Sequence, residues 1–349
     1  DIPIIGAGAV GLSAGLALAQ SGRKVCVIGQ IDKRPTARTV ALFGASQKFY
    51  AHLGLLDQIR QSGEPLEIMR IIDDTGSLFR LPETNFKARE IGLDEFGTNI
   101  ENRILLSLLE ASARQHQNRT LIEGHAIEVM TNADQAEARL SDGRKISARL
   151  ILAADGRNSP TRQSCGIRIT EQSYPQTAIT VLLAHQRPHE NVSTEFHTRN
   201  GPFTLVPLPA DNEYAHRSSL VFMTNTQEAD RLAALSQSAL ARAMEQQAHS
   251  LLGKFTLLGE VSRFPMSLLW AERLYADRLI LIGDAAHSFP PIGAQGLNLG
   301  LRDVGHSVEA IAPHSDPGTE NALRDYADRR KADIQLRSLG VDLLNRSLL

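Results

Sequence analysis

The chain opens with a strand, a glycine-rich turn, a helix and a second strand, and this order constrains the fold more than any other feature. The apolar run IPII comes first, GAGAVG and LSAGLALAQSG follow, and KVCVIG completes the unit, with Gly22 as the expected end of the helix. This pattern is typical of a βαβ unit, in which a helix connects two parallel strands. We therefore predict an α/β fold with a Rossmann-like domain.

The turn of this unit carries the G-x-G-x-x-G spacing, formed by Gly6, Gly8 and Gly11. The first glycine permits a tight turn, the second lets a pyrophosphate approach the backbone, and the third allows helix and strand to pack closely. An acidic residue is expected at the end of the second strand, where it would hold ribose hydroxyls. Here that position is Gly29, and Gln30 and Asp32 are the alternative acceptors.

A second strand ends in an Asp-Gly pair within AADGRNSPTR, residues 153–162. The carboxylate of Asp155 can accept hydrogen bonds from hydroxyls or turn amides, and Arg162 can approach a phosphate. An ordinary Asp-Gly turn explains the same residues.

A third junction is GDAAHSFPPIGAQGLNLGLRD, residues 283–303, which separates a strand-like run from an amphipathic helix. Asp284 at the strand end suits a ribose or polyol hydroxyl. Pro290, Pro291 and Gly293 stiffen the loop without side chains that would block a flat ring. Gly296 begins a helix whose N-terminal amides stabilise negative charge. A planar cofactor that becomes anionic on reduction fits this loop.

The ordered set GAGAVG, ARTVAL with Arg38, ENR at 101–103, AADGRNSPTR and the 283–303 stretch resembles the FAD-dependent aromatic hydroxylases, the single-component flavoprotein monooxygenases. The resemblance covers nearly the whole chain. Within that group, PIGAQGLNLGLRD, ARTVAL and ENRIL are most similar to the ubiquinone-biosynthesis hydroxylases.

The resemblance implies FAD as cofactor and a set of residues that hold it. Gly6, Gly8 and Gly11 would bind its pyrophosphate, Arg38 and Arg103 would lie near it, and Gly283 and Asp284 would bind the ribityl and pyrophosphate region. Asp155 and Gly156 match an element linked to both FAD and the nicotinamide nucleotide. The positions implied beside the flavin ring are Pro291, Gly293, Gln295, Gly296, Leu297 and Asn298.

The implied reaction is hydroxylation of a phenolic ring, in which NADH or NADPH reduces FAD and oxygen forms a flavin hydroperoxide. The implied substrate is a polyprenylated ubiquinone precursor, which needs an apolar channel. Candidates for its wall, which equally suit a sheet core, are Phe196, Phe203, Leu205 and Pro207. Two alternatives stay open: a hydroxylase of small soluble aromatics, and a non-catalytic assembly protein on the same fold.

Changes of pattern along the chain divide it into domains. The run from about Thr170 to Val261 has long alternating stretches and predicts an inserted, mainly β domain. We assign residues 1–66, 97–170 and 262–335 to a discontinuous FAD-binding domain, and 67–96 and 171–261 to a substrate-binding β-sheet domain. Residues 336–349 would start a C-terminal helical segment that is truncated here, because the typical family member is longer. Since the chain opens on Asp1 rather than Met, we also expect that residues preceded it.

Composition limits the partners. The net charge of −2, from 37 basic and 39 acidic residues, provides no general field for nucleic acid. Neither of the two cysteines lies in a metal-ligand pattern, so we predict no metal. The glycine-rich start lacks a basic leader and reads as neither signal peptide nor membrane span. We expect a cytoplasmic protein whose partners are an aromatic substrate and oxygen. Peripheral contact with the inner face of the membrane or with a biosynthetic complex, and homo-oligomer formation, are left open.

Three histidines lie near the expected sites. His287 follows the GDAA turn, while His185 and His197 lie in the predicted β domain. We interpret His287 as a structural or flavin-side residue and assign catalysis to none of the three.

Overall fold

The computed structural model describes residues 2–32, 34, 36–77, 81–115, 118–291 and 293–347. The elements of the first half are β1 (Ile2–Ile5), α1 (Ala9–Gln20), β2 (Val25–Ile28), β3 (Thr39–Phe43), α2 (Gly44–His52), α3 (Leu56–Ser62), β4 (Glu64–Leu66), β5 (Ile68–Asp74), β6 (Thr84–Lys87), β7 (Gly97–Glu101), α4 (Asn102–Gln115), β8 (Arg119–Ile122), β9 (Ala126–Thr131), β10 (Ala136–Leu140), β11 (Lys145–Ala148) and β12 (Ile151–Ala153). A short 3₁₀ helix, Ala88–Ile91, follows β6.

The second half contains α5 (Pro160–Ser164), β13 (Ile169–His185), β14 (Val192–Thr198), β15 (Gly201–Leu208), β16 (Arg217–Asn225), α6 (Thr226–Ala233), α7 (Gln237–Gln247), β17 (Phe255–Ala271), β18 (Tyr275–Ala276), β19 (Leu279–Leu281), β20 (His287–Ser288), α8 (Gln295–Ile311) and α9 (Glu320–Ser347). A 3₁₀ turn, Gly283–Ala285, lies between β19 and β20.

A mainly parallel sheet forms the base of the molecule. Among the described residues it has six strands in the order β18-β19-β12-β1-β2-β8, and only β18 is antiparallel to its neighbour. All four residues of β1 are buried, as expected for a central strand covered on both faces. Because β1, β12 and β19 run in the same direction, their carboxyl ends meet at one edge, where open α/β sheets bind ligands.

A second large sheet has the order β20-β17-β13-β16-β15-β14-β5-β6. Its pairs are antiparallel except β5 with β14. Along β13 the side chains alternate between the two faces. Ile179, Val181 and Leu183 pack against α6 and α7 in one core, whereas Ala178 belongs to a separate apolar cluster.

The predicted α/β fold class and the opening βαβ unit are confirmed, and several local predictions are corrected. The sequence of residues 42–61 predicts one helical stretch, whereas the structure has the end of strand β3 followed by two helices, α2 and α3. The turn signal DDTGS at residues 73–77 predicts a hairpin that closes there. In the structure β5 pairs instead with β6, which begins at Thr84, and residues 78–80 lie outside the described part. The expected mainly β region also contains α6 and α7.

The domain division stays a prediction. Two of its boundaries, 170/171 and 261/262, fall inside β13 and β17, which run without interruption for 17 residues each. These strands pair with each other along most of their length, so the chain passes those points without a change of element. The C-terminal segment expected from residue 336 continues α9, and its residues 348–349 lie outside the described part.

No helix in the described part of the chain combines the length and apolar character needed to cross a membrane.

Candidate active site

A cavity of about 550 Å³ lies where β1, β12 and β19 end, and residues of β17 form part of its wall. The predicted cofactor residues that line it are Gly8, Arg38, Arg103, Gly156, Asp284, Gly296 and Leu297. The predicted residues outside this lining are Gly6, Gly11, Asp155, Gly283, Pro291, Gly293, Gln295 and Asn298. The three junctions found in the sequence therefore meet at one site, although only some of their residues face it.

The three glycines of the first turn have different surroundings. A β-carbon at Gly6 would lie 2.1 Å from the carbonyl oxygen of Ala154, and one at Gly11 would lie 1.9 Å from that of Gly6. Gly6 also has a positive φ of 114°, which favours glycine. A β-carbon at Gly8 would meet no atom within 4 Å. Gly6 and Gly11 thus allow close packing, and Gly8 between them leaves open space at the cavity.

Helix α1 begins at this open space. Its N-cap, Gly8, provides no side-chain hydrogen bond, and the first turn contains no acidic residue. Ala9 and Val10 line the cavity with it. The first amides of a helix have no partner within the helix, so this end can donate hydrogen bonds to a phosphate.

Asp284 places a carboxylate in the cavity. Its side chain is exposed there and, within the described residues, accepts no hydrogen bond and forms no ion pair. Although the side chain is accessible from the cavity, the surrounding protein displaces much of its bulk solvent, and this desolvation raises the pKa of Asp284; His287 and Arg38 act in the opposite direction. An acceptor without a partner, in a partly desolvated position, is suited to ligand hydroxyl groups.

Two arginines line the same cavity. The guanidinium carbon of Arg38 lies 5.1 Å from the ring centroid of Phe264 on β17, a cation–π contact between the two sides of the cavity. The Nε atom of Arg103 donates to Glu101 over 2.8 Å. Glu101 is buried and also accepts from Arg217, which anchors it. Phe264 was not among the candidates from the sequence, because it belongs to none of the motifs.

The start of α8 is tied to β3. The Asn298 side-chain amide donates to the carbonyl oxygens of Ala41 and Ala294, and its oxygen accepts from the Phe43 amide and the Ser46 hydroxyl. Asn298 therefore anchors the helix instead of pointing into the cavity. Gly296 and Leu297 bring the first turn of α8 to the cavity.

Asp155 and Arg162 serve the local structure. Asp155 accepts from the Ser159 hydroxyl and from the Thr161 amide, so it stabilises the turn before α5. Arg162 is buried and donates to the carbonyl oxygens of Ala285 and Arg157. The expectation that Arg162 approaches a phosphate is wrong, because these bonds use its guanidinium to join two turns. Gly156 remains at the cavity.

His287 lies in a buried polar network behind the cavity. Its Nε2 atom is 2.8 Å from Asp303, which also accepts from the amide of Gly283 and from Arg330. Asp303, His287 and Arg330 have almost no exposed surface. The backbone amide of Gly283 thus contributes by donating a hydrogen bond to the carboxylate of Asp303. The network supports the 3₁₀ turn that presents Asp284.

The other histidines have structural partners. His185 is buried, hydrogen-bonds Arg187 and Ser218, and has a pKa lowered to about 4 by burial. His197 lies 2.8 Å from Glu195, a contact that raises its pKa.

The residues proposed as a channel wall lie elsewhere. Phe196, Phe203 and Leu205 are at most 1% exposed and pack with α6 and α7 in the sheet core. Pro207 is buried, and its carbonyl oxygen accepts from Asn99. Of the two interpretations, sheet core is the one that the structure supports, because strand alternation turns the first three side chains toward the helices.

The FAD binding domain family model matches residues 1–336. The chain belongs to this FAD-binding family. Ubiquinone hydroxylase UbiL of Rhodospirillum rubrum is 31% identical to it over 357 residues, covering 99% of this chain and 81% of the relative. The 3-demethoxyubiquinol 3-hydroxylase of Escherichia coli is 28% identical, covering 98% and 88%. The resemblance to ubiquinone-biosynthesis hydroxylases is confirmed.

Solved structures support the fold of this FAD-binding protein. PqsL of Pseudomonas aeruginosa, described as a probable FAD-dependent monooxygenase, superposes with a TM-score of 0.82 at 22% identity, covering 100% of this chain and 96% of that one. 2-methyl-3-hydroxypyridine-5-carboxylic acid oxygenase gives a TM-score of 0.81 at 18% identity, covering 99% and 92%. The family and the named relatives make the chain a flavoprotein monooxygenase with FAD as its cofactor.

The residues of the cavity fit this cofactor. The open space at Gly8 and the first amides of α1 suit a pyrophosphate, and the carboxylate of Asp284, which pairs with no residue that the structure describes, suits hydroxyl groups. The first turn of α8 adds a second helix N-terminus to the same cavity.

Proposed function

We propose that this FAD-binding monooxygenase hydroxylates the aromatic ring of a phenolic ubiquinone precursor, using NADH or NADPH as reductant and oxygen as co-substrate. The observation that carries the proposal is the position of the cavity, between the carboxyl edge of the parallel sheet and the β17 face of the second sheet. The names of the relatives, ubiquinone hydroxylases and a demethoxyubiquinol hydroxylase, support the substrate class.

The residues on the parallel-sheet side would bind and orient the cofactor. The α1 N-terminus would hold the pyrophosphate, and Asp284 would accept from ribityl hydroxyls. The N-terminal amides of α8, near Gly296 and Leu297, would stabilise negative charge on the ring. FAD supplies the redox chemistry when bound, accepting electrons and activating oxygen.

The second sheet would provide the substrate side. Ala178 on β13 pairs with Phe264 on β17, which lines the cavity. The apolar cluster of this region contains Tyr174, Ala178, Met223, Met266 and Leu268, with Trp270 and Phe289 packed against it. This buried cluster would give the β17 side of the cavity an apolar backing that excludes water, which favours a polyprenylated ring over a small polar one.

Gln176 is the polar exception on β13. It is 2% exposed, and neither atom of its amide has a hydrogen-bond partner among the described residues. It lies two residues before Ala178 in the part of β13 that pairs regularly with β16, so strand alternation places both on the same face. We assign Gln176 the role of hydrogen-bonding a substrate oxygen, because a buried amide without a partner is costly.

A polyprenyl substrate resides in the bilayer, so the proposal includes peripheral contact with a membrane or a biosynthetic complex. Support comes from the stretch around β6, where four large apolar side chains are exposed: Leu81, Phe86, Ile91 and Leu93. Exposed apolar residues of this size mark interaction surfaces when they form a patch.

The test is product analysis by mass spectrometry. The purified protein is supplied with FAD, NADH or NADPH, isotopically labelled oxygen, and matched phenols with and without a polyprenyl chain. We expect labelled oxygen in the ring of the prenylated phenols and little turnover of the others. Gln176→Leu should raise KM for the phenol, while Gln135→Leu, at an exposed turn, serves as the control.

Two results would contradict the proposal. Faster hydroxylation of unprenylated phenols would identify a hydroxylase of small soluble aromatics. Consumption of the nicotinamide without any labelled product, across the whole panel, would leave an oxidase activity in place of hydroxylation.

A further inference from the structure

The end of β2 lacks the acidic residue that would hold a ribose, and the structure shows why glycine occupies that place. Gly29 has a φ of +158°, and a β-carbon on it would lie 2.6 Å from the backbone nitrogen of Ala7. The glycine-rich turn therefore approaches β2 too closely for a side chain here. The acceptor for the adenosine half of FAD has to come from another position.

Asp32 is already engaged. Its two carboxylate oxygens accept from Arg34 over 2.9 and 2.7 Å, and these hydrogen bonds lower its pKa to about 2. A ligand hydroxyl would have to compete with this bidentate pair.

A second cavity of about 300 Å³ adjoins the main one at this point. Ala7 and Gln30 line both cavities, so the second begins where the first ends, on the side of α1 away from Asp284. Val27 and Leu121 contribute apolar walls that suit a flat purine ring. A dinucleotide with its pyrophosphate at α1 and its flavin toward α8 would direct its adenosine half here.

Glu123 brings a carboxylate into this second cavity. It follows β8 directly, and β8 pairs in parallel with β2 so that Ile122 lies opposite Ile28. The amide of Gly29 donates to the carbonyl oxygen of Ile122 over 3.0 Å, which places Glu123 beside Gly29 at the same sheet edge.

The carboxylate of Glu123 is available to a ligand. Its side chain is exposed and, within the described residues, forms no hydrogen bond or ion pair. The other acidic residue lining this cavity, Glu110, already accepts from Arg114 over 2.7 Å.

We propose that Glu123 binds the ribose hydroxyls of the adenosine half of FAD, replacing the acidic residue that β2 lacks. An ionised carboxylate has two oxygens and can accept from both hydroxyls of a vicinal diol. Strand β8 thus supplies an acceptor beside the end of β2. Strand β2 cannot carry that acceptor itself, because Gly29 packs too closely against Ala7. The inference rests on FAD as cofactor and is independent of the aromatic substrate proposed above.

The experiment titrates FAD into flavin-free full-length protein and follows the change in flavin fluorescence. The variants are Glu123→Ala and Glu123→Gln, with Glu90→Gln as the matched control, because Glu90 is exposed on the 3₁₀ helix after β6. We expect Glu123→Ala to raise the Kd for FAD about 10- to 100-fold, as for loss of hydrogen bonds to a charged group, and Glu123→Gln to raise it less. Glu90→Gln should match the wild type.

Two further measurements separate this role from a structural one. The melting temperature of flavin-free Glu123→Ala should equal that of the wild type, and both should bind FMN, which lacks the adenosine half, to the same extent. FAD affinity within about twofold of wild type would overturn the proposal. So would an equal loss of FMN and FAD binding, or a loss that appears in Gln30→Ala and not in Glu123→Ala.

Discussion

Asp284 carries the prediction that most directly tests the site, because one substitution there should move cofactor affinity and protein stability in opposite directions. Its carboxylate has no partner among the residues that the structure describes, so hydroxyls of bound FAD would be its hydrogen-bond donors. Hydrogen bonds to charged groups contribute about 1.5 to 3 kcal/mol, and 1.4 kcal/mol corresponds to tenfold in affinity. Asp284→Ala should therefore weaken FAD binding about 10- to 150-fold, and Asp284→Asn, which keeps one acceptor, by about tenfold.

The stability of the flavin-free protein should respond in the other direction. Burial raises the pKa of Asp284 above its ordinary value of 3.8. A carboxyl with a raised pKa in the folded state favours folding most below its ordinary pKa, and this contribution is lost as the pH rises. Asn cannot ionise, so flavin-free Asp284→Asn should melt above the wild type at neutral pH, and the difference should disappear in acid.

Fluorescence titration of FAD and thermal unfolding of the flavin-free protein measure these two effects. Asp32→Asn is the matched control, because Asp32 lines the same cavity and is paired with Arg34. We expect it to change FAD affinity little. Wild-type affinity in Asp284→Ala would refute the assignment of Asp284 as a cofactor acceptor. A flavin-free Asp284→Asn protein less stable than wild type at neutral pH would refute the unpaired state of its carboxylate.

Gly29→Glu should lower the free energy of unfolding by about 1 to 3 kcal/mol and weaken FAD binding, because Gly29 has a positive φ and lies close to Ala7. Urea unfolding measures the loss of stability, and tighter FAD binding would contradict this reasoning. Asp303→Asn should lower the free energy of unfolding by about 3 kcal/mol, because the buried Arg330 would lose one of its two carboxylate partners and keep Asp333. A change below about 1 kcal/mol would show that the buried Asp303–Arg330 pair is dispensable. Gln176→Leu should raise the melting temperature, because it removes a buried amide that has no hydrogen-bond partner among the described residues. A lower melting temperature would indicate that the amide has a structural partner such as a buried water.

The sequence was sufficient for those features that depend on neighbours along the chain. The order of β1, turn, α1 and β2 follows from local hydrophobic periodicity, and the spacing of Gly6, Gly8 and Gly11 follows from the geometry of one turn. The ordered motifs also predicted the FAD-binding family, because each motif describes one short junction.

Only the tertiary structure decided which of the candidate side chains are free to bind. Asp155 and Asp284 both follow a strand, yet Asp155 accepts hydrogen bonds within its own turn, while Asp284 faces the cavity with no partner in the described part of the chain. Phe203 and Phe264 are both strand aromatics, but only Phe264 lies on the face toward the cavity. Glu123 became a candidate because β8, which it follows, pairs with β2, and β2 lies nearly a hundred residues earlier in the chain. The reason is physical: a side chain binds a ligand only if no other protein group pairs with it, and those groups come from distant parts of the chain.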